Sequence, residues 1–240
     1  MEGVDGGFSP EGSFAVSAPP QTEKEGTPST TASQLSVCSP STFSFCSLCP
    51  AMEERMKAFL AKHRVDDFSL VRVASCYYDL TLQQRIDLLK APSTYHLCKT
   101  VVMENTRHTG VDDKLNSKYY MIVVQYQRKV NGERVKDLVK QLNAERGLKL
   151  GNKKLNFNFC KTSEELTGFV YNAVTPFASK TDIPVIVDSP ILELDPPLVW
   201  LGGGEVDLKL RVSVADLLRV FDPLVGSVCF EQEATTNEGN

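Results

Sequence analysis

Long apolar runs are missing from this chain of 240 residues. No window approaches the ~20 unbroken apolar residues that cross a bilayer, and the first residues lack the basic start and apolar stretch of a secretory leader. No membrane partner is therefore expected. Bases are scarce where an organelle transit peptide needs them: residues 1–50 hold Glu2, Asp5, Glu11, Glu23 and Glu25 against Lys24 alone, which points to a cytoplasmic protein. Histidine is scarce as well, with only His63, His96 and His108, and no G-x-S-x-G occurs, which argues against a Ser-His-Asp mechanism. The seven cysteines form no regular framework, and Cys76, Cys98, Cys160 and Cys229 each stand alone in apolar surroundings, as reduced thiols do. Cys46 and Cys49 make one C-x-x-C with Cys38 upstream, but no second C-x-x-C or paired histidine completes four ligands, so no metal is expected. Gly202–Gly204 lacks the further glycine and the helix start of a dinucleotide or phosphate loop, and no cofactor is expected either.

What is present divides the chain unevenly. Residues 1–50 are dominated by Ser, Thr, Pro and Gly, too poor in large apolar groups to offset the entropy of ordering, and read as a disordered extension. Residues 51–230 carry the apolar material of one domain, and residues 231–240 form an acidic tail. The formal net charge of −4 hides a contrast. Removing the −4 of the extension and the −3 of the tail leaves +3 for residues 51–230.

The periodicity within the domain predicts a helix over Met52–Lys62, a strand over Phe68–Val73, and a helix opened by the capping box Thr81-Leu-Gln-Gln84 and running to Leu89. His96–Glu104 and Tyr119–Gln127, rich in β-branched and aromatic residues, read as two strands. Gly132–Arg146 places Val135, Leu138, Val139 and Leu142 on one stripe of a helix. Leu155–Phe159 alternates as a strand, and Thr162-Ser-Glu-Glu165 reads as a second capping box. A loop follows at Asn172–Pro176, then strands at Pro184–Asp188, Leu198–Leu201 and Val206–Leu210, and a helix capped by Ser213-Val-Ala-Asp216 and ending near Phe221. Strands and helices interleave without regular βαβ spacing, which favours an α+β fold on a mixed sheet.

Two features carry possible chemistry. Between Arg128 and Lys161 ten bases face three acids, a local +7 that suits phosphate contacts as well as it suits a solvated helix face. Lys99 lies inside the strand run His-Leu-Cys-Lys-Thr-Val-Val-Met, where an ammonium is costly unless it meets a partner, a cleft or solvent at the end of its stem. Cys98, on the opposite face of that strand and without a histidine, reads as packing.

Three blocks, Leu97-Cys-Lys-Thr-Val-Val, Leu166-Thr-Gly-Phe-Val-Tyr-Asn-Ala-Val-Thr-Pro176 and Val199-Trp-Leu-Gly-Gly-Gly-Glu-Val-Asp-Leu, resemble in order and spacing the YbaK-type aminoacyl-tRNA deacylases, which include the editing domain associated with prolyl-tRNA synthetases. The resemblance spans roughly residues 55–225. It implies a mixed, partly closed β-sheet flanked by helices, with a pocket for the aminoacylated 3′ end of tRNA. Lys99 matches the family's functional lysine, held to engage the terminal nucleotide's phosphate. Gly168 and the stretch Asn172, Ala173, Val174, Thr175 and Pro176 match the family's G-x-x-x-P region, whose backbone holds the substrate ester beside a water; Gly202, Gly203, Gly204 and Asp207 match its pocket-lining block. Hydrolysis in the family is held to be assisted by the substrate's own ribose hydroxyl, with positioning supplying the rate. One departure stands out: Asn172 occupies the place of the loop's opening glycine, and asparagine tolerates positive φ better than other non-glycine residues. The implied activity is hydrolysis of the ester of a misacylated tRNA, with a small amino acid such as alanine or cysteine on tRNA-Pro. The basic run 128–161 would lie near tRNA phosphates, and an aminoacyl-tRNA synthetase is a further possible partner. The other reading is a noncatalytic tRNA-binding or synthetase-complex component with a degenerate pocket.

Overall fold

The computed structural model describes residues 52–231. The predicted Ser/Thr/Pro-rich extension, the C-x-x-C at Cys46 and Cys49, and all of the acidic tail but Glu231 lie outside the described residues.

The elements are α1 (Met52–Lys62), β1 (Phe68–Arg72), α2 (Leu82–Leu89), β2 (Cys98–Asn105), β3 (Tyr119–Gln125), α3 (Gly132–Glu145), β4 (Phe157–Phe159), α4 (Ser163–Thr167), β5 (Val185–Asp188), β6 (Leu198–Gly202), β7 (Leu208–Ser213), α5 (Val214–Phe221) and β8 (Leu224–Gly226). The mixed sheet divides in two. A five-stranded sheet runs β4-β2-β3-β5-β8, antiparallel at its β4 end and parallel from β3 to β8; a three-stranded antiparallel sheet runs β1-β7-β6. A bridge between Leu97 and Trp200 ties them together.

β3 explains the arrangement. Its run Tyr120-Met-Ile-Val-Val124 is buried throughout because both faces meet apolar layers, as in a central strand. Met121 and Val123 join Val199, Leu201, Leu210 and Val212 of the small sheet, with Met56 and Leu60 of α1, in one core. Tyr120, Ile122 and Val124 join Val135 and Val139 of α3 on the other side. Each such aliphatic side chain contributes ~1.5–3 kcal/mol on burial. A third, smaller cluster gathers Val73, Tyr77, Leu89, Ala91, Leu97 and Trp200 beneath α2.

The Thr81 capping box forms in full, with Thr81 Oγ1 accepting from Gln84 N and Gln84 Oε1 accepting from Thr81 N. Ser213 likewise accepts from Asp216 N. The capping box expected at Thr162 does not form: Thr162 sits at φ −102°, ψ 28°, away from the extended backbone that aims a side chain at the helix start. The last predicted strand is shifted to Leu208–Ser213, where it pairs with β1, and Asp207 just before it still gives its carbonyl to Val73 N in the same register. Among the described residues no helix is long and apolar enough to cross a membrane.

Candidate functional site

The site begins with a gap in a sheet. On the side away from β3, β2 pairs with β4 only from Met103 to Asn105, while just before β2 Leu97 bridges to Trp200. Between those points, along Lys99–Val101, no described strand covers that edge, and such an edge presents backbone N–H and C=O groups. A cavity of about 900 Å³ opens there. Lys99 enters it from β2, half-buried, its Nζ donating to the Tyr126 carbonyl at 3.2 Å and lying 5.9 Å from the Tyr126 ring centroid. Burial lowers its pKa, opposed by the nearby Cys229 sulfur and aided to a lesser extent by the charge of Lys129. Cys98, one residue earlier, points into the core, and burial pushes its thiol pKa well up, so it is no nucleophile.

The opposite wall is the segment after α4. Gly168 ends that helix at φ 75°, its N–H bonded to the Glu164 carbonyl. Asn172 adopts φ 68°, the left-handed conformation its residue type tolerates. Its carbonyl accepts a 2.6 Å hydrogen bond from Tyr78 Oη. A Cβ on Gly202 would stand 3.0 Å from the Val174 carbonyl oxygen and 3.1 Å from that of Ala173, so the bare glycine lets β6 and the loop approach.

Beneath the two walls lies a group of cations and rings. Lys209, 3% exposed, donates to Tyr78 Oη at 2.8 Å and to the Val206 carbonyl at 2.9 Å, and stands over the Tyr77 and Tyr78 rings. Burial first, then the neighbouring Arg85 charge, lower its pKa to about 8, with Asp207 opposing. Arg85 donates to the Tyr78 and Leu80 carbonyls and stacks near Tyr77, Tyr78 and Tyr126. Burial raises the pKa of both Tyr77 and Tyr78. The chain Lys209, Tyr78, Asn172 carbonyl thus links a buried ammonium to the loop, while Tyr126 links Arg85 to Lys99. Neither Arg85 nor Lys209 was singled out from sequence. Lys209 lies between Leu208 and Leu210, the same anomaly that drew attention to Lys99.

Of the sequence-predicted site residues, Lys99, Asn172, Val174 and Gly202 line the cavity. Ala173, Thr175 and Pro176 are buried behind the loop's surface. Gly203 and Gly204 pack against Leu208, Met52 and Phe169, and Gly168 caps α4. Asp207 is not in the lining: its carboxylate pairs with Arg72 at 3.0 Å, on the side facing β1. The basic run is partly neutralised. Arg128 Nε holds the fully buried Asp188 at 2.6 Å, Arg134 meets Glu231, Lys136 meets Glu133, and Arg146 meets Asp113. Lys129 remains exposed and lines the cavity. Cys160 and Ser163 also line it, yet no histidine is among the lining residues to activate either. The arrangement can bind and orient an anionic ligand with cations and backbone; it supplies no evident side-chain nucleophile.

Residues 87–220, more than half of the chain, match the family model of the aminoacyl-tRNA editing domain. Among solved structures, a candidate trans-editing enzyme for prolyl-tRNA synthetase is similar over 77% of this chain and all of its own, with 18% identity and a TM-score of 0.57. A hypothetical protein matches over 73% of this chain and 99% of its own, at 18% identity and TM-score 0.54. A protein from computational grafting of epitope backbones onto scaffolds matches over 77% and 100%, at 15% and 0.56. At these identities the structural likeness concerns the fold.

Proposed function

We propose that this chain, which belongs to the aminoacyl-tRNA editing domain family, hydrolyses the ester that joins a wrong amino acid to tRNA, acting on a small amino acid such as alanine or cysteine carried by tRNA-Pro. One observation supports the reading: Lys99 of β2 and the loop residues Asn172 and Val174, 73 residues or more apart in sequence, line one cavity. A lysine ammonium is a compact point charge suited to a phosphate. Across the cavity, the bend at Asn172 and Val174 offers backbone groups to an ester and its attacking water. With no activated side-chain nucleophile in the lining, the attack falls to water, helped by the substrate's ribose hydroxyl, and positioning supplies the acceleration. An asparagine side chain at 172, where the family has glycine, would narrow or re-line the cavity, and a narrower one favours small acyl groups. Such a second site is needed because one methylene discriminates by only ~1–3 kcal/mol during charging.

The test is a panel of tRNA-Pro preparations charged with alanine, cysteine, serine or proline, each incubated with the full chain. Faster loss of alanine or cysteine than of proline supports the proposal. Tight binding with no loss of any amino acid sinks it in favour of a noncatalytic tRNA-binding component.

A further inference from the structure

Three exposed aromatic residues from three separate segments line the cavity. Tyr171, next to the loop bend, is 86% exposed; Phe159, at the end of β4, is 61% exposed; Phe230, whose N–H bonds the Lys129 carbonyl, is 55% exposed. Large rings are usually sequestered, and three exposed ones in a single lining are not explained by packing. They are interleaved with cations, since Lys129 is exposed in the same lining and Lys99 reaches in from β2. A cavity of about 900 Å³ lies near the top of the ~300–1,000 Å³ span of ligand sites, so it has room beyond an amino acid and one ribose.

Resting on the function proposed above, we infer that Tyr171, Phe159 and Phe230 form a stacking platform for the unpaired bases next to the terminal nucleotide of tRNA, with Lys129 serving the phosphates between them. Exposed rings beside ammonium groups are what a single strand requires: every base has a π-face, and the intervening phosphates are anionic. An apolar partner would gain nothing from Lys129 or Lys99. Stacking is tolerant of base identity, so the platform contributes affinity for the single-stranded end common to tRNAs and leaves discrimination of the amino acid to the inner cavity. Tyr171 is placed to couple the two, because the next residue is Asn172 of the bend.

The experiment is fluorescence anisotropy with a labelled, uncharged single-stranded RNA heptamer ending in CCA, titrated against the full chain at fixed salt. Tyr171→Ala and Phe159→Ala should each weaken binding by roughly 5-fold to 100-fold, while Tyr171→Phe, which keeps the ring, should bind as the parent does. Tyr95→Ala, an exposed aromatic outside the cavity, should change nothing. A heptamer with abasic sites at the two cytidine positions should bind the parent at least as weakly as the intact heptamer binds Tyr171→Ala. Equal binding by the parent and both alanine variants overturns the inference, as does undiminished binding of the abasic heptamer, which would leave phosphate contacts alone. Because the probe carries no amino acid, ring-dependent binding by a chain that hydrolyses no misacylated tRNA would refute the proposed reaction and uphold the platform. Ring-independent binding by an active hydrolase would do the reverse.

Discussion

Replacing Tyr78 with phenylalanine removes one oxygen and two hydrogen bonds. Tyr78 Oη donates to the Asn172 carbonyl at 2.6 Å and accepts from Lys209 Nζ at 2.8 Å. Without it, the Asn172 carbonyl loses that donor and a buried ammonium keeps only the Val206 carbonyl. Leaving buried groups short of partners costs ~1–3 kcal/mol. Asn172 itself holds a left-handed conformation that costs a non-glycine residue ~1–2 kcal/mol, and the Tyr78 bond is one of the restraints that keep it there. Tyr78→Phe should therefore let the bend relax, lowering kcat for misacylated tRNA by about tenfold, the equivalent of ~1.4 kcal/mol. Asn172→Gly removes the conformational cost, so in the Tyr78→Phe background it should restore part of the lost kcat. The assay is single-turnover deacylation of the four proteins of the double-mutant cycle. Parental kcat in Tyr78→Phe, or the same effect of Asn172→Gly in both backgrounds, would refute the coupling.

Two further outcomes follow from buried charges. Arg128→Met should destabilise the fold by ~3–5 kcal/mol, read from chemical denaturation, because Asp188 is fully buried and would lose its guanidinium; a loss under 1 kcal/mol would show that Arg128 is a surface cation. Lys209 has a folded pKa of about 8, below its unfolded value of ~10.4, so between these the unfolded chain binds more protons and the lysine's contribution to stability rises with pH. From pH 7.5 to 9.5 the parent should gain about 2 kcal/mol relative to Lys209→Met, and parallel stability curves for the two proteins would contradict the burial of a charged lysine.

Elements with their own period were legible in the sequence. α3 shows its stripe because Val135 and Val139 face one core, and the Thr81 box works because both partners lie within four residues. β8, at Leu224–Gly226, is too short to display alternation, and the Thr162 box has the right residues on the wrong backbone. The division into two sheets depends on the pairing of β1 with β7, whose partners Phe68 and Val212 are far apart in sequence. At the site, Lys99 stood out as a charge within a strand run. Arg85 did not, because an arginine in an amphipathic helix is ordinary until Tyr77, Tyr78 and Tyr126 close over it. Arg128 was misread among the basic run because its partner, Asp188, lies in a distant strand.

On the proposed function, Lys99 and the bend at Asn172 hold one misacylated tRNA end between them. The deciding measurement is single-turnover deacylation of alanyl-tRNA-Pro by the full chain and by Lys99→Ala. The parent should hydrolyse it and Lys99→Ala should be at least tenfold slower; equal rates from the two proteins would remove Lys99 from the site.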